Sequence, residues 1–283
     1  MNNISAGTTL AASIASIILC IYTYHKDRTE KEPLSLLAAL FCVSGVLSIP
    51  TVYIENILQR IIGNVFSDYY QIDINGIMKF TSSASAVSYN LIVSFLVVAL
   101  LETAVKWTVL FLITHKNRNF NSLFDGLIYG VFVSLGFAMF DNIRFAWMNG
   151  WDMLLIRTAT TTPIHMIVGV FMGVFYTMWH IFSLAASSER KLEKDGKITV
   201  TKPFAYAPFL ALSAATPFLT RGLFRFAEYS QTDGSKAVFY IFIFTLFVIG
   251  FVCIHRASDA DSLDNEVVSS LIRKKYKNQL NGN

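Results

Sequence analysis

The sequence predicts an all-α, polytopic integral membrane bundle of about seven transmembrane helices, with its N-terminus outside and its C-terminus in the cytoplasm. Three observations predict it. Hydrophobic residues make up 54% of the 283 and charged ones 15%, at a mean hydropathy of +0.50, more apolar surface than a soluble domain of this size hides. The apolar residues gather in runs of roughly 20, the length that crosses a bilayer. Lysines and arginines collect in alternate gaps between those runs, as they do in cytoplasmic loops.

Helices and closed barrels alone satisfy the backbone in hydrocarbon, and the alternating ten-residue segments of a barrel are not seen, so the spans are helical. Seven segments qualify, at about 7–24, 34–54, 88–114, 123–148, 158–186, 204–226 and 237–255. The first reads as a retained helix, because no Lys or Arg precedes it to make a secretory signal. The basic gaps hold Lys26, Arg28 and Lys31; Lys116 and Arg118; Arg190, Lys191, Lys194, Lys197 and Lys202; and a tail with Arg256, Arg273, Lys274, Lys275 and Lys277. The opposite gaps and their flanks hold only Arg60, Lys79, Arg144, Arg157 and Lys236. After the second span Ile54, Ile57, Leu58, Ile61, Ile62 and Val65 recur at three-and-four spacing, with Glu55, Gln59 and Arg60 on the other face. That pattern fits an interfacial amphipathic helix or a plain extension of the second span.

One membrane domain, residues 1–255, and a charged cytoplasmic tail, residues 256–283, account for the chain. The net charge of +4 sits in clusters at span ends, which speaks for membrane orientation and against a nucleic-acid partner. Cys20, Cys42 and Cys253 each lie in an apolar run and read as small hydrophobes.

The informative residues are those a membrane helix avoids, because Asp, Lys or Arg at mid-span costs about 2.5 to 3.5 kcal/mol on insertion scales. The third span carries Glu102 and Lys106 in LLETAVKW, four apart and able to pair on one face. The fourth carries Asp125 at its start and Asp141 with Asn142 near its other end. The fifth has Arg157 at its mouth and His165 two residues after Pro163, and the sixth has Arg221 and Arg225. At 1.5 Å per residue from the cytoplasmic ends, Glu102, Asp141, His165 and Arg221 stand at about 20, 27, 30 and 25 Å. Four helices thus deliver carboxylates, an imidazole and a guanidinium to a similar height.

Such a set suits hydrolysis of a peptide bond in lipid, which needs a water-holding cavity, a base, and donors for the oxyanion. Glu102 is the candidate base, and Asp141 and His165 either assist directly or bind a divalent metal such as zinc. The plain alternatives are a structural Glu102–Lys106 ion pair and a helix-contact histidine at His165; Arg157 also fits a snorkelling anchor.

These motifs resemble the PrsW family of intramembrane proteases, distant relatives of the type II CAAX prenyl endopeptidases. The matching stretches are ETAVK (Glu102, Lys106), DGLIYG (Asp125, Gly126, Tyr129, Gly130), GFAMFDN (Gly136, Phe137, Ala138, Asn142) and PIH (His165), within a core of about residues 95–226. Thr103 stands where the family's second Glu is usual, Asp141 where it has Glu, and Arg221 about where a final His falls. The resemblance implies cleavage of a membrane-anchored protein substrate near the outer surface of a bacterial plasma membrane, in regulated proteolysis and signalling. It implies Glu102, Asp141 and His165 as catalytic residues, supported by Lys106, Asn142, Thr103, Asp125, Arg157 and Arg221. Whether the type is glutamic or metal-dependent stays open. Two other readings compete: an inactive PrsW-like scaffold or regulator, motivated by Thr103 and Arg221, and a coupled transporter using the same carboxylates.

Overall fold

Helices form where the apolar runs stand, and in the computed structural model residues 6–27, 31–72, 78–117, 120, 122–149, 151–193, 207–229 and 239–259 are described. Among them are α1 (Ala6–Lys26), α2 (Leu34–Val65), α3 (Ser83–Thr114), α4 (Leu123–Asn149), α5 (Trp151–Glu193), α6 (Ala207–Tyr229) and α7 (Phe239–Asp259). Over the described residues five of the seven, α2, α3, α4, α5 and α7, are long and apolar enough to cross a bilayer. Helices α1 and α6 fill the positions expected for the first and sixth spans. Arg28, Arg118, Lys236, the basic gap 194–206 and residues 260–283 of the expected tail lie outside the described residues.

Helix α2 continues as one element from Leu34 to Val65, with Pro50 inside it, so residues 54–65 extend the second span and form no separate interfacial helix. Its 32 residues reach about 48 Å, beyond the roughly 30 Å of hydrocarbon. A small antiparallel hairpin follows, Tyr70–Ile72 against Met78–Phe80, with Tyr70 opposite Phe80.

The bundle is built around α4. Its span is 78% buried against 22% for the peripheral α7, and Phe124, Leu127, Ile128, Val131 and Leu135 all have no exposure. Lipid supplies no hydrophobic drive between helices, so close backbone approach and polar contacts hold them. A Cβ on Gly130 would come 2.3 Å from the Gly169 carbonyl oxygen of α5, and one on Gly136 would come 2.2 Å from that of Phe41 on α2. Only glycine permits either approach. Ser44 adds a bond between helices, its Oγ donating to the Val133 carbonyl at 2.7 Å.

Polarity is inverted relative to a soluble helix. Helix α2 buries Ser44, Ser48, Thr51 and Glu55, spaced by four, three and four residues, while Val46, Ile49, Ile57 and Ile61 face outward. Ser48 and Thr51 satisfy their hydroxyls on the Gly45 and Leu47 carbonyls of their own helix.

Helices α2, α3, α5 and α6 are each irregular close to a polar residue they deliver to the interior. Helix α3 takes a π winding over Ile92–Ala99, three residues before Glu102. Pro50, Pro163 and Pro217 interrupt the hydrogen-bond ladders of α2, α5 and α6 just before Glu55, His165 and Arg221. Such interruptions bend helices and free backbone groups where a cavity can use them.

Candidate active site

The ETAVK segment of α3 begins the site. Lys106 Nζ donates to Glu102 Oε2 at 2.8 Å, the pairing expected of a four-residue spacing. Arg221, one helix away on α6, closes on the same carboxylate from the other side, with Nε 2.9 Å from Oε2 and Nη2 2.7 Å from Oε1. Both oxygens of Glu102 are therefore engaged by cations, and all three residues are buried. This fork is the strong form of a charged hydrogen bond.

Lys106 also reaches His165 on α5, its Nζ lying 2.9 Å from Nδ1. An ammonium has only protons to offer, so in this contact Lys106 donates and Nδ1 accepts. Phe137 of α4 packs against both, with the Lys106 ammonium 4.3 Å from its ring centre and the His165 ring 5.9 Å away. Glu102, Lys106, Arg221 and His165 thus form one chain of contacts across three helices.

Asp141 of α4 organises a second cluster. Arg144 Nη2 donates to its Oδ1 at 3.0 Å, and Arg157 Nη2 donates to its Oδ2. Arg157 also lies over the Phe145 ring. Its neighbour Asn142 ties α4 to α5, donating to Thr162 Oγ1 and accepting from Thr161 Oγ1, both at 3.2 Å.

The two clusters face one polar cavity of about 190 Å³. Glu102, Asp141, Arg157 and Arg221 line it, joined by Glu55, Asn56 and Gln59 of α2, and by Arg144 and Arg225. Three carboxylates and four guanidinium groups therefore share a small space enclosed by apolar helices. Several donors are left over: Arg221 Nη1, Arg144 Nε and Arg157 Nε are buried with no hydrogen-bond partner. Unsatisfied donors around a cavity are an arrangement for water or a polar ligand.

Not every expected residue joins it. His165 stands behind Lys106 and does not line the cavity. Thr103 faces an apolar groove between α3 and α6 with Trp107, Ala211 and Phe218. Asp125 sits at the start of α4, accepting from the backbone N–H and the hydroxyl of Ser122 at 2.7 and 2.5 Å. The main addition is Glu55, only 6% exposed, with its Oε1 buried and unpartnered. Its signal in the sequence was the stripe Ser44, Ser48, Thr51, Glu55, Gln59, which lies on one helix face.

Residues 32–251 match the family described as PrsW family intramembrane metalloprotease. The chain belongs to the PrsW family. It is 27% identical to "Protease PrsW" of Bacillus subtilis over 240 residues, 84% of this chain and 89% of that protein. It is 30% identical over 168 residues to the protein of the same name from Geobacillus kaustophilus, 59% of this chain and 64% of that one. At 23% identity the Halalkalibacterium halodurans protein matches across 90% of this chain and 97% of its own length. No solved structure matches the chain. With five helices suited to spanning and relatives that are all bacterial, this PrsW family protein is an integral protein of the bacterial cell membrane.

The family description implies a metal, and the donors available do not fit one. Among the described residues no group of three or more His, Cys, Asp or Glu side chains converges as a metal site. His165 Nδ1 is occupied by Lys106, and both Asp141 oxygens by arginines. A divalent cation in the cavity would also face four guanidinium groups.

Proposed function

We propose that this chain is an intramembrane endopeptidase that hydrolyses a peptide bond of membrane-anchored proteins in the cavity between α2, α3, α4, α5 and α6. The observation that carries the reading is that cavity: room for water, three carboxylates and surplus guanidinium N–H donors, enclosed in a bundle whose outer faces are apolar. Hydrolysis inside a bilayer needs this combination of water, proton acceptor and oxyanion donor.

Arg221 supplies the donor. Glu102 holds its Nε and Nη2, which leaves Nη1 to receive the scissile carbonyl oxygen as it becomes an oxyanion. Lys106 neutralises the rest of the Glu102 charge and is itself steadied by His165 and Phe137. Asp141 orients Arg157 and Arg144 on the far wall. The site-bearing region runs from α2 to α6, and its lining residues Gln59, Arg144, Arg157 and Arg225 lie towards the helix ends remote from Lys26, Lys31 and Lys116. The charge pattern of the loops supports reading that end as the outer surface, and with it cleavage where an anchored protein leaves the membrane.

The test is cleavage of a panel of single-span proteins by purified protein in lipid vesicles, comparing wild type with Glu102→Gln and Arg221→Lys. Each variant is expected to lose about 10²- to 10³-fold in rate, the effect of removing one preorganised oxyanion donor. Cleavage by the wild type that neither variant alters would overturn this assignment of the site.

A further inference from the structure

Of the three carboxylates in the cavity, two are already spoken for. Glu102 accepts from Lys106 and twice from Arg221, and Asp141 accepts from Arg144 and Arg157. A carboxylate oxygen held by guanidinium or ammonium protons has its lone pairs committed and is not free to accept a proton from water. Glu55 differs: it is 6% exposed, it lines the same cavity, and its buried Oε1 has no hydrogen-bond partner.

Burying an unpartnered carboxylate is costly, and a helix that merely needed to fill this position would carry an apolar residue or Gln. The surroundings also fix where Glu55 points. Ser44 bonds across to Val133, and Gly136 lets the α2 backbone touch α4. The α2 face bearing Glu55 is thereby pinned against the helix that carries Asp141.

We infer that Glu55 is the carboxylate that activates the hydrolytic water, in the cavity it shares with the Arg221 Nη1 that receives the oxyanion. The inference rests on the endopeptidase reading above. In this step Glu55 takes a proton from water, and the water oxygen bonds to the scissile carbonyl carbon. The carbonyl π pair moves onto its oxygen, which Arg221 Nη1 meets. Collapse of that intermediate re-forms the C=O and breaks the C–N bond, and the proton on Glu55 passes to the leaving nitrogen. The products are a carboxylic acid and an amine, and Glu55 is returned as the carboxylate.

The experiment uses the full-length protein in lipid vesicles and whichever single-span protein the wild type cleaves. Glu55→Gln is expected to lower kcat by about 10²- to 10⁴-fold, the usual contribution of a positioned general base, with KM little changed. Its thermal stability should not fall, since an isosteric amide replaces a buried carboxyl group whose Oε1 has no hydrogen-bond partner to lose. Glu55→Asp should keep part of the rate. Added formate should restore measurable cleavage to Glu55→Ala, and chloride at the same concentration should not.

A Glu55→Gln protein that cleaves at the wild-type rate overturns the inference and leaves the endopeptidase reading standing. The same holds if KM rises while kcat is kept, since Glu55 would then only bind substrate. If Glu55→Gln does not fold, Glu55→Asp and the formate arm decide, and no rescue counts against the inference. Wild-type protein that cleaves no member of the panel overturns the endopeptidase reading itself, and the inference falls with it.

Discussion

Arg221 lies across Glu102 as a two-pronged fork, Nε on one carboxylate oxygen at 2.9 Å and Nη2 on the other at 2.7 Å. With Lys106 on the same group, one buried anion holds two buried cations, from the same helix and from α6. Removing the anion strands both. Glu102→Leu is therefore expected to destabilise the protein by about 3 to 5 kcal/mol, as when one partner of a buried ion pair is deleted. Arg221→Leu should cost less, because Lys106 remains to compensate Glu102. Thermal unfolding of the two variants in detergent checks the order, and a Glu102→Leu variant as stable as the wild type would contradict it.

The contact between Gly136 and Phe41 sets the distance between α2 and α4, and with it the position of Glu55 relative to Asp141. Gly136→Ala places a methyl group where the Phe41 carbonyl oxygen would be 2.2 Å away, and backbone cannot swing aside as a side-chain tip can. The expected cost is about 1 to 3 kcal/mol, typical of overpacking. Cleavage should fall further than stability explains, since a shift of about 1 Å in a catalytic geometry can lose 10²-fold in rate. A rate measured on the folded fraction and equal to wild type would show that the α2–α4 distance does not matter to the site.

How much of this was legible in the sequence follows from which residues break a pattern. Glu102, Lys106, Asp141 and Arg221 stand inside apolar runs, where lipid makes a charge expensive, so both their burial inside the bundle and the i, i+4 pair could be read directly. The helix positions were legible for the same reason. Glu55 was not: with Gln59 and Arg60 it sits at the end of a run, opposite Ile54, Ile57 and Ile61, and that spacing reads as a polar face turned to water. The membrane reverses the sense of the pattern, since Ile54, Ile57 and Ile61 are 46%, 42% and 53% exposed and Glu55 is 6% exposed. The fork on Glu102 depends on where α6 lies beside α3, and no spacing within one helix encodes that.

Chelation gives a test at the level of chemistry. The side chains expected to hold a metal, His165 and Asp141, already accept hydrogen bonds from Lys106, Arg144 and Arg157. A divalent ion would have to displace those cations and then sit among guanidinium groups. Cleavage by protein treated with a strong divalent chelator is expected to proceed at the untreated rate, with substoichiometric zinc by elemental analysis. Loss of cleavage on chelation that added zinc restores would show that the site rearranges around a metal.

The opposite end of the bundle supplies a prediction about pH. Glu32 precedes α2 and is buried; its backbone N–H donates to Asp27 Oδ2 at 3.1 Å and its Oε2 accepts from the Tyr129 hydroxyl at 2.6 Å. Burial pushes the Glu32 carboxyl up from 4.5 to about 8; the Tyr129 O–H opposes the rise, and the nearby Asp125 and Asp27 add to it. The folded state thus binds this proton more tightly than the unfolded chain does. Its contribution to stability is whole below the unfolded value and is lost as pH rises through the folded one. The melting temperature of the wild type is expected to decline between about pH 5 and pH 9 relative to Glu32→Gln, which keeps an acceptor for Tyr129 but has no proton to lose. The two proteins should melt together at the acid end and diverge at the alkaline end, with Glu32→Gln the more stable there. Tyr129→Phe removes the bond that favours the carboxylate and should steepen the wild-type decline; parallel melting curves across the whole range would mean that Glu32 does not change protonation in the folded protein.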